Sequence, residues 1–424
     1  MIWILFISFF IFLFLGFPIA FSLGLSAFTY LIFAQVPLVV IPLKMYSGID
    51  VFVLLSIPGF ILAGNLMNLC GMTDRIIRFS NHLLGHVRGG LSLANIGASM
   101  IFAGISGTAV ADTASIGSIM IPAMKKEGYD GDFSCAVTAA SSTVGPIIPP
   151  SLPLIIAGSL TGLSIGKLFL AGAIPGLLLT VGFMVVSYVI SKKRKYPKKA
   201  RAGIKLVASG FLDAFWALVM TLIILFGIVA GVFTPTEASI VAVLYALFVG
   251  IFIYQSINIK GLIGVLKQSV STTASLMLLV GFANLFGWIL VSEQVPQQVA
   301  ASLLGISTNK IVLLLLINLL LIVVGSFMET IAALLILFPI LLKVAVSVGI
   351  DPIQFSIIAV LNLMIGLNTP PVGVCLFVAS GIGKEPIERI TKQVLPFLLV
   401  SLIVLLLVSY IPQISLFLPG LFWD

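Results

Sequence analysis

Two stretches of the chain set small oxygen-bearing side chains beside glycine and paired prolines inside otherwise apolar sequence. Residues 138–153 read TAASSTVGPIIPPSLP, and residues 362–373 read NLMIGLNTPPVG. Proline lacks a backbone donor and clashes with the preceding turn, so a glycine followed by paired prolines breaks a helix and frees carbonyls. In apolar surroundings, freed carbonyls with Ser, Thr and Asn oxygens suit a hard, dehydrated cation. Half-helix N-termini beyond the break suit a carboxylate. The side-chain oxygens on offer are Ser106, Thr108, Ser141, Ser142, Thr143, Ser151, Ser326, Asn362, Asn368 and Thr369. Asp112 and Glu329 are the acids that come near, and they either handle an ion or proton or compensate a helix N-terminus. Without a longer Asp, Glu or His relay, sodium coupling fits better than proton coupling.

Other residues carry less. His82 and His86 have helical i, i+4 spacing but lack the intervening acid of a zinc-protease motif, and read as surface residues. Asn65 and Asn284 read as polar glue between helices. Cys70, Cys135 and Cys375 lie too far apart to indicate a disulfide framework or a zinc site. No phosphate loop and no nucleophile–base pair is present, so neither ATP hydrolysis nor another enzyme activity is indicated. Thr234-Pro235-Thr236-Glu237 reads as a capping box with proline at the first helical position, and Asp351-Pro352-Ile353-Gln354 reads likewise.

The elements that position these groups follow from composition. Of 424 residues, 60% are hydrophobic and 8% charged, against ~25% charged in a soluble domain. That excludes a soluble globular protein, a disordered chain and a nucleic-acid binder, despite a net charge of +8. Uncharged runs such as 1–43, 168–191 and 238–259 reach the ~20 residues a helix needs to cross a bilayer. The first 36 residues have no basic leader or cleavage site and read as structure. The fold class is an all-α polytopic membrane protein.

The chain also repeats itself at an offset of 217 to 221: Asn65 falls on Asn284, Asp112 on Glu329, Pro122 on Pro339, and Gly145, Pro149 and Pro150 on Gly366, Pro370 and Pro371. Each unit holds five crossings and one short hairpin. The first crosses at 2–16, 19–35, 51–72, 133–160 (broken) and 168–190, and the second at 212–231, 238–254, 268–291, 353–381 (broken) and 394–411. The hairpins occupy 90–122, with small residues from Gly104 to Thr108 at its tip, and 309–343, with its tip at Gly325–Met328. The alternative for 90–122 is one spanning helix with a glycine-rich packing face. Five crossings is odd, so the second unit enters inverted. Taking 73–89, 123–132, 192–205, 255–267 and 383–393 as cytoplasmic gathers 18 of the 22 Lys and Arg on one side and puts both termini on the outer face. The basic linker beginning at Lys192 reads as a topology anchor against anionic lipid headgroups.

The stretch from Gly104 to Pro153, with SGTAVADTASIGSIMIPAMKKEGYD and AASSTVGPIIPPSLP, closely resembles the large membrane subunit of TRAP (tripartite ATP-independent periplasmic) transporters. GSFMETIAALLILFP, GIDPIQF and GLNTPPVGVCLFVASG resemble the same family's other repeat, and the likeness runs nearly end to end. The resemblance implies an elevator-type secondary transporter in a bacterial inner membrane, importing an organic acid with sodium ions. Its partners would be a periplasmic substrate-binding protein (P subunit) and a separate small four-helix membrane subunit (Q subunit).

Carried over residue by residue, one sodium site falls at Ser106, Gly107, Gly145 and Pro149, and the other at Gly325, Met328, Gly366 and Thr369. The solute would lie between them at Thr108, Ser151, Ser326 and Pro370. The implied divisions are 1–88, scaffold half 1 with arm, and 89–191, transport-domain half 1. After the linker at 192–211 come 212–308, scaffold half 2 with arm, and 309–424, transport-domain half 2. Sialic acid or a C4-dicarboxylate is the implied cargo class. The competing readings are a stand-alone sodium symporter for dicarboxylate or citrate, needing no binding protein, and a passive channel.

Overall fold

The computed structural model describes residues 1–106, 108–198, 201–306, 309–370 and 372–422, and among them every regular element is helical. The first half runs α1 (Ile2–Phe14), α2 (Ile19–Phe33), α3 (Val40–Ile49), α4 (Ser56–Leu69), α5 (Met72–Leu84), α6 (Gly90–Ser106), α7 (Ala109–Lys126), α8 (Gly131–Ser142), α9 (Leu152–Thr161) and α10 (Ile165–Lys193). The second half runs α11 (Ile204–Val229), α12 (Pro235–Phe248), α13 (Ile259–Ser292), α14 (Val295–Ile306), α15 (Lys310–Phe327), α16 (Thr330–Ser347), α17 (Pro352–Gly366), α18 (Val374–Gly383), α19 (Ile387–Tyr410) and α20 (Gln413–Phe422). Among the described residues, eight helical stretches are long and apolar enough to cross a membrane.

The order of elements recurs. Helices α6 to α10 return as α15 to α19, their starting residues displaced by 220 to 222 positions. This corrects one register read from the sequence. By helix start, Glu329 corresponds to Thr108, since each is the N-cap of its hairpin's second arm. Pairing Asp112 with Glu329 is four residues off. Four residues is about one helical turn, so both registers keep the same face and composition alone does not separate them. The hairpin arms are 17 residues in α6 and 18 in α7, α15 and α16. The second hairpin ends at Ser347 instead of 343. Four helices are additions. α3 lies in an apolar loop, α5 and α14 lie in connectors, and α20 packs on α10 beyond the last expected crossing.

The caps foreseen at α12 and α17 are present, with one difference. Thr234 and Glu237 form the reciprocal box, Glu237 Oε2 accepting from Thr234 N at 2.8 Å. Asp351 accepts from Ile353 N and Gln354 N, but the Gln354 amide donates to Val408 O at 2.9 Å instead of turning back to close a box. That ties α17 to α19.

Contacts tie the basic segments to one another and to their neighbours, Gly89 N donating to Pro197 O at 3.4 Å among them. Arg75 lies 3.6 Å from the Tyr254 ring centroid, and Ser256 Oγ donates to Cys70 O. His82 packs against Gly210, where a Cβ would lie 2.7 Å from Nδ1. Half-buried against α11, His82 and His86 are less superficial than their spacing implied. Lys125 Nζ meets Glu385 Oε1 at 2.8 Å and donates to Gly383 O at 2.9 Å. Around Asp130, the N-cap of α8, Tyr196 Oη and Arg194 Nη1 each donate to Oδ2 at 2.6 Å, and Arg194 Nη2 reaches Gln393 Oε1 at 2.6 Å. The linker is thereby clasped to the starts of α8 and α19.

The Tyr196 hydroxyl, followed by the Arg194 guanidinium, holds the Asp130 carboxyl below the usual carboxylate range. A carboxyl depressed on folding contributes stability that is present above its unfolded value, ~3.9, and lost as pH falls through the folded value. The thermal midpoint of the detergent-solubilised protein should therefore fall on acidification below about pH 4. Asp130→Asn should flatten that acid limb. An acid limb identical in the variant would show that the clasp adds no stability.

Candidate functional site

In each half an asparagine seats the hairpin on the broken helix. Asn95 on α6 donates to Thr138 Oγ1 of α8 at 2.7 Å, and Ser99 meets Ser141 at 2.9 Å. In the second half Asn362 of α17 donates to Asn318 Oδ1 of α15 at 3.0 Å. Such interhelical bonds contribute about 0.6 kcal/mol each inside a membrane, so they orient more than they stabilise. Closer contact comes from glycine. A Cβ on Gly366 would lie 2.3 Å from the Gly325 carbonyl carbon, so α15 and α17 cross backbone to backbone beside the tip. In the first half Gly172 and Gly176 of α10 make the equivalent room. A Cβ on either would fall 2.3 Å from Ile147 O or from Ile148 Cγ1 of the first break.

The breaks are where expected. The helix stops at Ser142 and restarts at Leu152; its mate stops at Gly366 and restarts at Val374. Each restart packs on the other half's hairpin, α9 on α16 and α18 on α7. A small crevice of about 10 Å³ marks the centre, lined by Thr108 to Val110, Pro146, Pro153, Glu329 to Ile331, Met364 and Leu367. Both described tips and both broken helices meet there. The N-termini of α7, α9 and α16 all start at it, capped by Thr108, Ser151 and Glu329. Glu329 Oε2 accepts from Ile331 N at 2.9 Å and Ala332 N at 3.2 Å, so this acid compensates a helix start. Asp112 is fully buried in the first turn of α7.

The residues expected to hold ions divide by half. Gly107 lies outside the described residues, as does the side chain of Ser106; Gly145 and Pro149 are buried in the first break. The second group comes together: Gly325 touches Gly366, Met328 ends α15, and Gly373 N donates to Ser326 O at 3.4 Å across the break. Thr369 Oγ1 donates to Ile365 O at 2.7 Å, which leaves its lone pairs for a cation. Asn368 reaches across to donate to Ala139 O at 3.1 Å, and its buried Oδ1 has no hydrogen-bond partner. An orphaned acceptor beside freed carbonyls fits a small cation held by oxygen. Of the residues expected around the solute, Thr108 lines an open cleft and Ser151 is buried as a cap donating to Pro146 O. Ser326 is buried, with Oγ donating to Val323 O at 2.7 Å, and Pro370 is exposed.

Two larger clefts flank the crevice, stacked along α13. One, of about 380 Å³, lies between Asn65 and Asn68 of α4, Gln268 and Thr272 of α13, and Thr108 and Ser115 of the first hairpin. The other, of about 470 Å³, lies between α3, the Val280–Val291 stretch of α13, the end of α9, and Leu335 and Pro339 of the second hairpin. Repeat mates Asn65 and Asn284 sit one in each. Both also glue helices as expected, Asn65 to Ser269 Oγ at 2.9 Å and Asn284 to Lys44 O at 2.7 Å. Sequence reasoning missed Asn68, Gln268 and Thr272 as cleft residues. The signal was there, in polar pairs three or four residues apart within apolar helices.

A family model described as "Tripartite ATP-independent periplasmic transporter, DctM component" matches residues 6–414. The chain is 47% identical over 411 residues to the sialic acid TRAP transporter large permease protein SiaM of Vibrio cholerae serotype O1, covering 97% of this chain and 96% of the relative. It is 42% identical to the isethionate TRAP transporter permease protein DctMQ of Oleidesulfovibrio alaskensis, covering 98% of this chain and 66% of that protein. It is 40% identical to the C4-dicarboxylate TRAP transporter large permease protein DctM of Pseudomonas aeruginosa, covering 94% of each. Among solved structures, the YdaH transporter of Alcanivorax borkumensis matches with a TM-score of 0.57 at 16% identity over 88% of this chain and 85% of that one. MtrF of Neisseria gonorrhoeae matches with 0.57 at 12% identity over 89% and 83%. At such identity the likeness is one of fold.

The Gly325–Gly366 contact sets backbone against backbone, with no flexible side chain to give way. Gly366→Ala should lower stability by about 1–3 kcal/mol through overpacking. Gly264→Ala, at an open position on α13, should raise it by about 0.5–1 kcal/mol. Thermal unfolding in detergent checks both, and a Gly366→Ala midpoint equal to wild type would contradict the backbone contact.

Proposed function

Because the chain belongs to the family of TRAP transporter large permeases, we propose that it is the large membrane subunit of a sodium-coupled importer of an organic acid such as sialic acid or a C4-dicarboxylate. It works with a periplasmic binding protein and a small four-helix subunit. The observation that carries this reading is the crevice joining both tips and both breaks, flanked by a cleft on either side along one 34-residue helix. In it, two halves inserted in opposite orientations supply a block of hairpins and broken helices, α6 to α10 with α15 to α19. The block slides past α13 as an elevator, opening one cleft as it closes the other.

The relatives' names support the cargo class, an anionic acid: sialic acid, isethionate and C4-dicarboxylate. The residues present suit the chemistry. Sodium takes oxygen ligands, which Thr369, Asn368 and the carbonyls around Gly366 and Gly325 supply. Converging helix N-termini favour the acid's negative charge in a setting of low dielectric. Binding of the cation beside the anion couples the two, because each charge lowers the desolvation cost of the other.

Proteoliposomes holding the chain with its two partners should accumulate the acid only under an inward sodium gradient. Undiminished uptake in sodium-free buffer under a proton gradient would overturn the coupling ion. Thr369→Ala should raise the half-saturating sodium concentration about tenfold. An unchanged sodium response would remove Thr369 from the site.

A further inference from the structure

The cleft between α3, α13 and the second hairpin differs from its partner in one respect. Among the described residues lining it stands a single charged side chain, Lys44, whereas those lining the other cleft include none. Lys44 is held in place by its surroundings. Asn284 donates to its carbonyl at 2.7 Å and lies 3.4 Å from Ser47 Oγ one turn away. A Cβ on Gly48 would fall 2.4 Å from Asn284 Cβ, so α3 and α13 touch there. The Lys44 ammonium lies over the Trp288 ring, 5.3 Å from its centroid.

Lys44 is half-buried, and its ammonium calls for negative charge, of which the ring face supplies only a partial one. The carboxylates that follow Trp288 and Lys44 most closely along the chain, Glu293 and Asp50, are placed otherwise. Glu293 accepts from Tyr30 Oη at 2.6 Å, and Asp50 is exposed at the end of α3. Ser47, Ser159 and Asn284 add neutral polar groups around the same space. A volume of about 470 Å³ suits one small molecule.

We propose that Lys44, poised over Trp288 beside Asn284, forms an outer subsite that takes the acidic group of the solute before it reaches the crevice between the tips. This rests on the organic-acid reading above. The ligand class is a small carboxylate or sulfonate bearing hydroxyl or amide groups. The ring gives the ammonium a weak resting partner. An arriving anion draws it off by a charge-assisted hydrogen bond, and the neutral serines and asparagine orient the remainder. With a ring as the alternative partner, the acid is attracted without being trapped, as a transit site requires.

The test reads Trp288 directly. In the purified chain with Trp3, Trp216 and Trp423 replaced by phenylalanine, succinate, isethionate and N-acetylneuraminate are titrated as sodium salts at constant ionic strength, with glucose as the neutral control. At least one acid should change Trp288 emission saturably and glucose should not. Lys44→Gln should weaken the response about tenfold or more, and Lys44→Arg should retain it within about threefold. No saturable response to any acid, or the same midpoint in Lys44→Gln, overturns the subsite. Uptake by the reconstituted complex separates this from the wider reading. If wild type accumulates none of the acids, organic-acid transport fails on its own. If it accumulates one with the same KM in Lys44→Gln, the subsite fails alone.

Discussion

The structure depends on one constraint: two helices are broken in apolar surroundings, and the backbone groups each break exposes must find partners. The sequence between Ser142 and Leu152, and between Gly366 and Val374, cannot satisfy itself, because proline and glycine interrupt the ladder. The other half of the molecule completes each joint. Helix α9 packs on the second hairpin and α18 on the first, while Asn368 reaches from one broken helix to the Ala139 carbonyl of the other. Freed backbone in a membrane is tolerated where protein encloses it or a wet cavity meets it. Neither half is complete alone, so the breaks persist only where the two repeats cross.

The same crossing concentrates the electrostatics. Three helix N-termini start at the central crevice, and two of their caps, Thr108 and Ser151, are neutral. The third cap, Glu329, spends its carboxylate on backbone N–H groups. What remains is partial positive charge beside oxygen acceptors, a setting for an anion and a cation together. On the proposed mechanism neither crosses alone without a large desolvation cost, which is the physical basis of coupling. On the same proposal, helix α13, about 51 Å long at 34 residues, would serve as the rail along which the clefts exchange.

Much of this was legible from the residues. Paired prolines after glycine located both breaks, and the Thr234–Glu237 box fixed the start of α12. Basic segments grouped from the sequence do meet in pairs, Lys125 with Glu385 and Arg194 with Gln393. What escaped did so for physical reasons. The Asp112–Glu329 register slipped because a four-residue shift keeps a helix face. α3 carries no strong start or stop signal, since its flanks are as apolar as the helix. The Gln354 side chain left its expected box because a buried partner, the Val408 carbonyl, competed for it. Polar pairs such as Asn65 with Asn68 and Gln268 with Thr272 marked residues of one cleft, but the cavity itself depends on how α4, α13 and the first hairpin pack, which no local spacing sets.

The central claim is that the hairpins and broken helices move as one body along α13. Spin labels at Ser115 and Gln268 span one cleft, and labels at Leu160 and Val291 span the other. Pulsed dipolar distance measurements in nanodiscs, with and without sodium and solute, read both. The account predicts changes of opposite sign, one separation shortening as the other lengthens. Two separations that stay fixed, or that widen together, would contradict it.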